Sequence, residues 1–266
     1  MEKDINVVEI ECPAKKTIYK VSSSIFMLIG ALGFALMILI NFISFLEQGI
    51  GGLVDFILGN IFNALYLVFL LSIYLKAKEK SPLFKESFDS LRILIKVIYI
   101  IMMIAFGLAV FGLLIMIPAW NFVSSIAIQM APEYEEILKM VTTPILLFGL
   151  AVIAFEIVMA VLIYGNSIKL LNGTYKTIEE NKDHITPKIE VISISLFVYG
   201  GIYFIYTLYN LITQTFKLSD ASLLINDISL VNLVQYALMI YFGVLLLMFK
   251  KEFKLQKNKG DNNEKN

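Results

Sequence analysis

A chain of 266 residues with 58% hydrophobic and 17% charged residues is more apolar and less charged than a soluble domain, which runs at about 45–50% and about 25%. Basic and acidic residues balance at 22 each, so no overall positive field invites nucleic acid. The single cysteine, Cys12, excludes an intrachain disulfide and a cysteine-built zinc site, and the single histidine, His184, excludes a His-Glu-x-x-His metalloprotease.

The first stretch, 1–24, carries mixed charge and reads as a cytoplasmic tail. No small-x-small cleavage pattern follows the first apolar run at Phe45-Leu46-Glu47, so that run is expected to persist as a helix rather than act as a cleaved signal. Beyond the tail, charged residues are absent from Lys20 to Glu47, Asp55 to Lys76, Lys96 to Glu133, Glu190 to Lys217 and Asp227 to Lys250. Each gap holds the ~20 apolar residues that a helix needs to cross a ~30 Å hydrocarbon core. None shows the polar face of a soluble core helix.

Six spans follow, at 25–45, 56–75, 93–117, 144–164, 191–211 and 231–249. The fourth is interrupted by Glu156, yet the residues on either side are uniformly apolar. One acid costing ~3 kcal/mol at the bilayer centre does not outweigh them. The spacing predicts an all-α integral membrane protein, a six-helix transmembrane bundle over 25–249 arranged as three hairpins. Polar residues 250–266 read as a basic, disordered cytoplasmic tail.

Lysine placement orients the bundle. The N-tail, the second and fourth connections and the C-tail hold nearly all the basic residues. The first, third and fifth connections hold Glu47, Asp55, Glu133, Glu135, Glu136, Asp220 and Asp227, with Lys139 and Lys217 as their basic residues. Both termini are therefore expected in the cytoplasm, with the protein in the cell membrane. A five-span chain would break the alternation.

Several local readings accompany the spans. Ser81-Pro82 looks like a helix start, and Leu83, Phe84, Phe88 and Leu91 fall at helical spacing opposite Lys85, Glu86 and Asp89. An amphipathic helix running into the third span is expected. Pro118 and Trp120 mark an expected helix end at headgroup depth on the outer side, and Pro132 to Lys139 a further turn or two of helix. Asn172-Gly173-Thr174 reads as a helix C-terminal turn with Gly173 at positive φ. Small residues near mid-span (Gly30 and Gly33; Ala105, Ala109 and Gly112; Gly200 and Gly201) suit close helix approach.

No usual catalytic apparatus is present. No histidine lies within a span, Asp55 is the only aspartate close to one, and no Gly-x-x-x-x-Gly-Lys-Ser/Thr loop occurs. The chain reads as non-enzymatic, with no metal site and no cofactor.

Glu156 is the sharpest functional pointer, because ionisable groups deep in a span face the protein interior and mark ion or proton paths. It sits eight residues before Tyr164, so ~12 Å deep at 1.5 Å per residue. Gly149 and Ala160 share its face. A structural acid joining helices is the competing reading. Lys96, about one turn inside the third span, either snorkels outward or reaches toward Glu156. Asn60 and Asn63 share a helix face and join Asn41, Asn210, Asn232 and Gln235 in the outer halves of the spans. These amides read as an interhelical hydrogen-bond cluster or as the wall of a vestibule.

Two functions are expected from this pattern. The first is a component that moves, or helps move, a small solute or ion through the lipid bilayer. The second is an accessory or regulatory subunit whose basic cytoplasmic segments bind a membrane partner protein or anionic lipid.

Overall fold

The computed structural model describes residues 11–48, 53–130, 143–185, 189–217 and 227–263. All secondary structure among them is helical: α1 (Pro13–Ser22), α2 (Ile25–Gln48), α3 (Leu53–Lys78), α4 (Phe84–Met130), α5 (Thr143–Ala160), a π-helical turn (Val161–Gly165), α6 (Asn166–Glu180), α7 (Ile189–Lys217) and α8 (Asp227–Asn263). Six stretches are long and apolar enough to cross a membrane: Ile25–Leu46, Phe56–Lys78, Phe84–Trp120, Thr143–Glu180, Ile189–Thr213 and Leu230–Lys254. Even in the best covered of their apolar windows only 33% of the residues are buried within the chain. Large side chains such as Leu36, Leu108, Phe148 and Ile205 face outward instead. Such a surface is at home in lipid, where burying these groups inside the protein gains nothing.

The chain packs as two compact units, Met1–Leu94 with Asn166–Asn266, and Ile95–Gly165. In the first unit α2 pairs with α3 and α7 with α8, and α8 also lies against α2. Glycines allow the close approaches. A β-carbon on Gly30 would sit 3.0 Å from the Phe242 ring, one on Gly200 3.0 Å from the Tyr236 carbonyl oxygen, and one on Gly33 would collide with Leu238. Ser193 is fully buried at the α7–α8 contact and donates to the Gly243 carbonyl at 2.8 Å, which satisfies its hydroxyl without water. Gly201 and Gly112, which the sequence groups with these, have open space beside them.

The first unit is best packed at its lysine-bearing end. α1 lies against α2, α3, α6 and α8. Its Ala14, Thr17 and Ile18 are buried, as are Ile73, Ala77, Phe84, Ile178, Ile192 and Phe249 of the other helices. Thr17 donates to the Pro13 carbonyl at 2.9 Å, so its hydroxyl enters the core already satisfied. Tyr19 stacks on Phe84 with ring centroids 4.5 Å apart. Burial pushes the Tyr19 phenol above its ordinary pKa, and Glu11 adds to the effect.

The amphipathic start of α4 is present: Phe84, Phe88 and Leu91 are buried, while Leu83 stays exposed. Three expectations need correction. α4 does not end at Pro118 but continues through it to Met130. A proline removes one backbone bond and crowds the carbonyl one turn back, but a helix in an apolar setting runs on through it where local adjustment satisfies the freed group. α8 continues past Phe249 to Asn263, so most of the tail expected to be disordered is helical. Extending a formed helix adds a bond per residue and avoids the cost of nucleation.

Gly173 lies inside α6 rather than at its end, and the positive φ belongs to Asn181, at 51°. What demands glycine there is the returning chain: a β-carbon on Gly173 would sit 2.6 Å from the His184 carbonyl oxygen. The loop is held over it by His184 N–H donating to Thr177 Oγ1 at 3.0 Å and by Cys12 N–H donating to Asn181 Oδ1 at 2.8 Å. The segment 132–139 lies outside the described residues.

Gly173→Ala is expected to destabilise the detergent-solubilised protein by about 1–3 kcal/mol through this overpacking. Gly112→Ala, in open space, leaves the unfolding midpoint unchanged or slightly raised, and thermal unfolding of both variants checks the pair.

Candidate intramembrane site

Glu156 lies on α5 in the second unit, half-buried, and takes part in a polar interaction within the protein. The following residues explain part of its cover: Met159 and Ala160 are buried. On the same face two turns earlier, a β-carbon on Gly149 would lie 3.9 Å from Leu113 Cδ1 of α4, so this side of α5 looks across to α4. One residue after Ala160 the helix widens into the π turn Val161–Gly165. Such turns shift the register of the faces on either side and occur often at functional positions. Lys96, at the start of this unit on α4, is exposed.

The amides divide. Asn60 of α3 is buried and saturated: its Oδ1 accepts from Asn41 Nδ2 of α2 at 2.8 Å, and its Nδ2 donates to the Phe56 carbonyl at 2.8 Å. This joins α2 to α3 within both apolar stretches, where an unpaired amide would be costly. Asn63 turns back on its own helix, donating to the Gly59 carbonyl at 3.3 Å. Asn210 and Asn232 are half-buried and Gln235 is exposed. Among the described residues no three or more His, Cys, Asp or Glu side chains group so as to hold a metal ion.

Two clusters escaped the sequence reading. The first joins the opening turns of α4 to α6. Lys85, Asp89 and Arg92 recur along one face of α4, and Asn172, Tyr175 and Glu179 along one face of α6. Lys85 Nζ donates to Glu179 Oε1 at 2.7 Å, Arg92 Nη1 donates to Asn172 Oδ1 at 3.1 Å, and Arg92 also pairs with Asp89. Both cations lie over the Tyr175 ring, each 5.0 Å from its centroid. The available signal was Arg92 itself, the one arginine among 22 basic residues. A planar guanidinium can stack on a ring and reach two acceptors at once, which a lysine cannot.

The second cluster is aromatic. Tyr203 of α7 stacks on Tyr236 of α8 at 5.3 Å, with Tyr199 4.7 Å from Tyr203. Nearby in the same unit, Phe34 of α2 stacks on Tyr66 of α3 at 4.9 Å. In the sequence these tyrosines were indistinguishable from ordinary packing residues.

Comparison with models of protein families, with curated proteins and with solved structures finds no match to this chain.

Arg92→Lys keeps the charge but loses the stacked plane and the fork to Asn172 and Asp89. It is expected to cost about 1 kcal/mol, read as a lower unfolding midpoint, whereas Lys96→Gln is expected to leave that midpoint in place.

Proposed function

We propose that this multi-pass protein resides in the cell membrane with both termini in the cytoplasm and moves, or helps move, a small solute or ion, with Glu156 as the coupling acid. The observation that carries the reading is a carboxylic acid half-buried on a membrane-crossing helix, a turn ahead of a π-helical turn. A group of this kind at membrane depth is expensive to keep, which favours a use that repays it. The π turn supplies a local irregularity at which the α5–α6 helix can change register. The reading rests on chemistry in the span and not on the amide pair, since Asn41 donates to Asn60 and Asn60 in turn donates to the Phe56 carbonyl.

A second reading is favoured by the interlocked basic end. The Lys76–Arg92 connection carries exposed Lys78 and Lys80 beside an exposed Leu83. That surface suits an acidic partner subunit, which makes the chain an accessory component of a larger membrane assembly.

Glu156→Gln is expected to abolish flux of the transported ion or solute, or its pH dependence, in cells while leaving membrane expression and the unfolding profile intact. Unaltered flux in that variant reduces Glu156 to a packing acid. For orientation, Tyr134→Cys in a Cys12→Ser background should react with an impermeant maleimide added outside intact cells, and the native Cys12 should not. Reaction at Cys12 overturns the inward placement of the N-terminus.

A further inference from the structure

The seam between α1 and the membrane-exit turns of α8 carries more positive charge than its acids neutralise. α1 contributes Lys15, Lys16 and Lys20, and α8 contributes Lys250, Lys251 and Lys254. Against these six stand Glu252, bonded to Lys20 at 2.5 Å, Glu190, paired with Lys250, and Glu11 just ahead of α1. The acids of α6, which packs on the other side of α1, are engaged elsewhere: Glu179 by Lys85 and Glu180 by His184. Lys16, Lys20, Lys251 and Lys254 are exposed. Lys16 and Lys20 share one face of α1, being four residues apart, and the Lys20–Glu252 pair sets that face against the turn of α8 bearing Lys251, while Lys254 lies beside Lys250 on the side of α8 that meets Glu190.

The height of this seam is given by chain continuity. Only Ser23 and Ser24 separate α1 from α2, and Lys250 directly follows the apolar run that ends at Phe249. Tyr241 of α8 donates to the Phe26 carbonyl and fixes α8 beside the first turn of α2. The excess lysines therefore stand at headgroup level. Just inside them Ile25 and Phe26 are 57% and 38% exposed, an apolar floor beneath a cationic rim. A soluble acidic peptide would match the rim and leave the floor unused.

We infer that the α1–α8 seam binds one anionic phospholipid, its phosphate held between Lys16 and Lys20 of α1 and Lys251 of α8, its acyl chains lying against Ile25 and Phe26. Bound there, the lipid neutralises the like charges on two packed helices and fastens α1 to α8 at the point where α1 also meets α2, α3 and α6. The site deepens the lipid-binding part of the expected function and stands apart from the Glu156 reading.

The test is lipid retention by the full chain purified in nanodiscs of phosphatidylcholine doped with phosphatidylglycerol, read by native mass spectrometry and by unfolding midpoint. Such discs present anionic lipid on both faces, so the result is independent of orientation and of any transport role. One phosphatidylglycerol is expected to stay with the protein and raise its midpoint. The double variant Lys16→Gln, Lys251→Gln should retain it about thirtyfold less well and lose the lipid-dependent rise while still unfolding cooperatively. Lys78→Gln with Lys80→Gln, at the α3–α4 turn outside the seam, should behave as the parent. Equal loss in both variants, no preference for phosphatidylglycerol over phosphatidylcholine in the parent, or the same rise produced by inorganic phosphate alone each overturns the proposal.

Discussion

Burial of α1 is the constraint on which the first unit depends. Ten residues long, it is too short to be a stable helix alone in water. It holds because Ala14, Thr17 and Ile18 enter a core built from α3, α4, α6 and α8, and because Tyr19 lies flat on Phe84. Thr17 would be a liability at that depth if its hydroxyl were not returned to Pro13. The surrounding helices gain as well, since α2, α3, α6 and α8 all meet this common apolar wedge. Lipid offers no hydrophobic drive to pull helices together. This water-facing end is where such a drive operates, and the closest packing of the unit is found there.

The two units differ in how they hold together. In the first, glycines bring backbones within contact, and buried hydroxyls find carbonyls across the helix boundary, as Ser193 does with Gly243. In the second, the apolar side chains of α4 beyond Leu94 and of α5 mostly face outward, and Gly107 and Gly112 have nothing beside them. Glu156 sits in this more open unit. A polar group in a loosely packed hairpin can change partners at lower cost than one locked in a close-packed core.

Much of the fold was legible because membrane physics is read from runs of residues. The six apolar stretches, the helical start of α4 and the small residues Gly30, Gly33 and Gly200 follow from composition and periodicity. What periodicity cannot supply is the partner of an amphipathic face. The polar face 85–89–92 predicts a solvated surface unless 172–175–179 is brought opposite, and those residues lie 80 or more positions away. Gly173 shows the same limit: its triplet looked like a local turn, whereas the requirement comes from the backbone at His184 folding back over the helix. Pro118 misled for the opposite reason, since a local rule of helix ending was applied where the surroundings allow the helix to continue. For the candidate site, Glu156 stood out because charge is conspicuous in an apolar run. Its half-burial and the π turn beyond it depend on packing and backbone detail that carry no sequence signal.

The position of α1 has a consequence for how the protein is made. α1 leaves the ribosome before any span, yet one of its walls, at Phe249, belongs to the last span. At synthesis rates of about 5–20 residues per second, it waits on the order of tens of seconds for that wall to arrive. Throughout that interval its apolar face is covered in part, by α2, α3 and α6 as each follows, and the wall that α8 provides stays open. A chain cut short before α8 never closes that face, so α1 serves as a built-in report on whether α8 has been delivered.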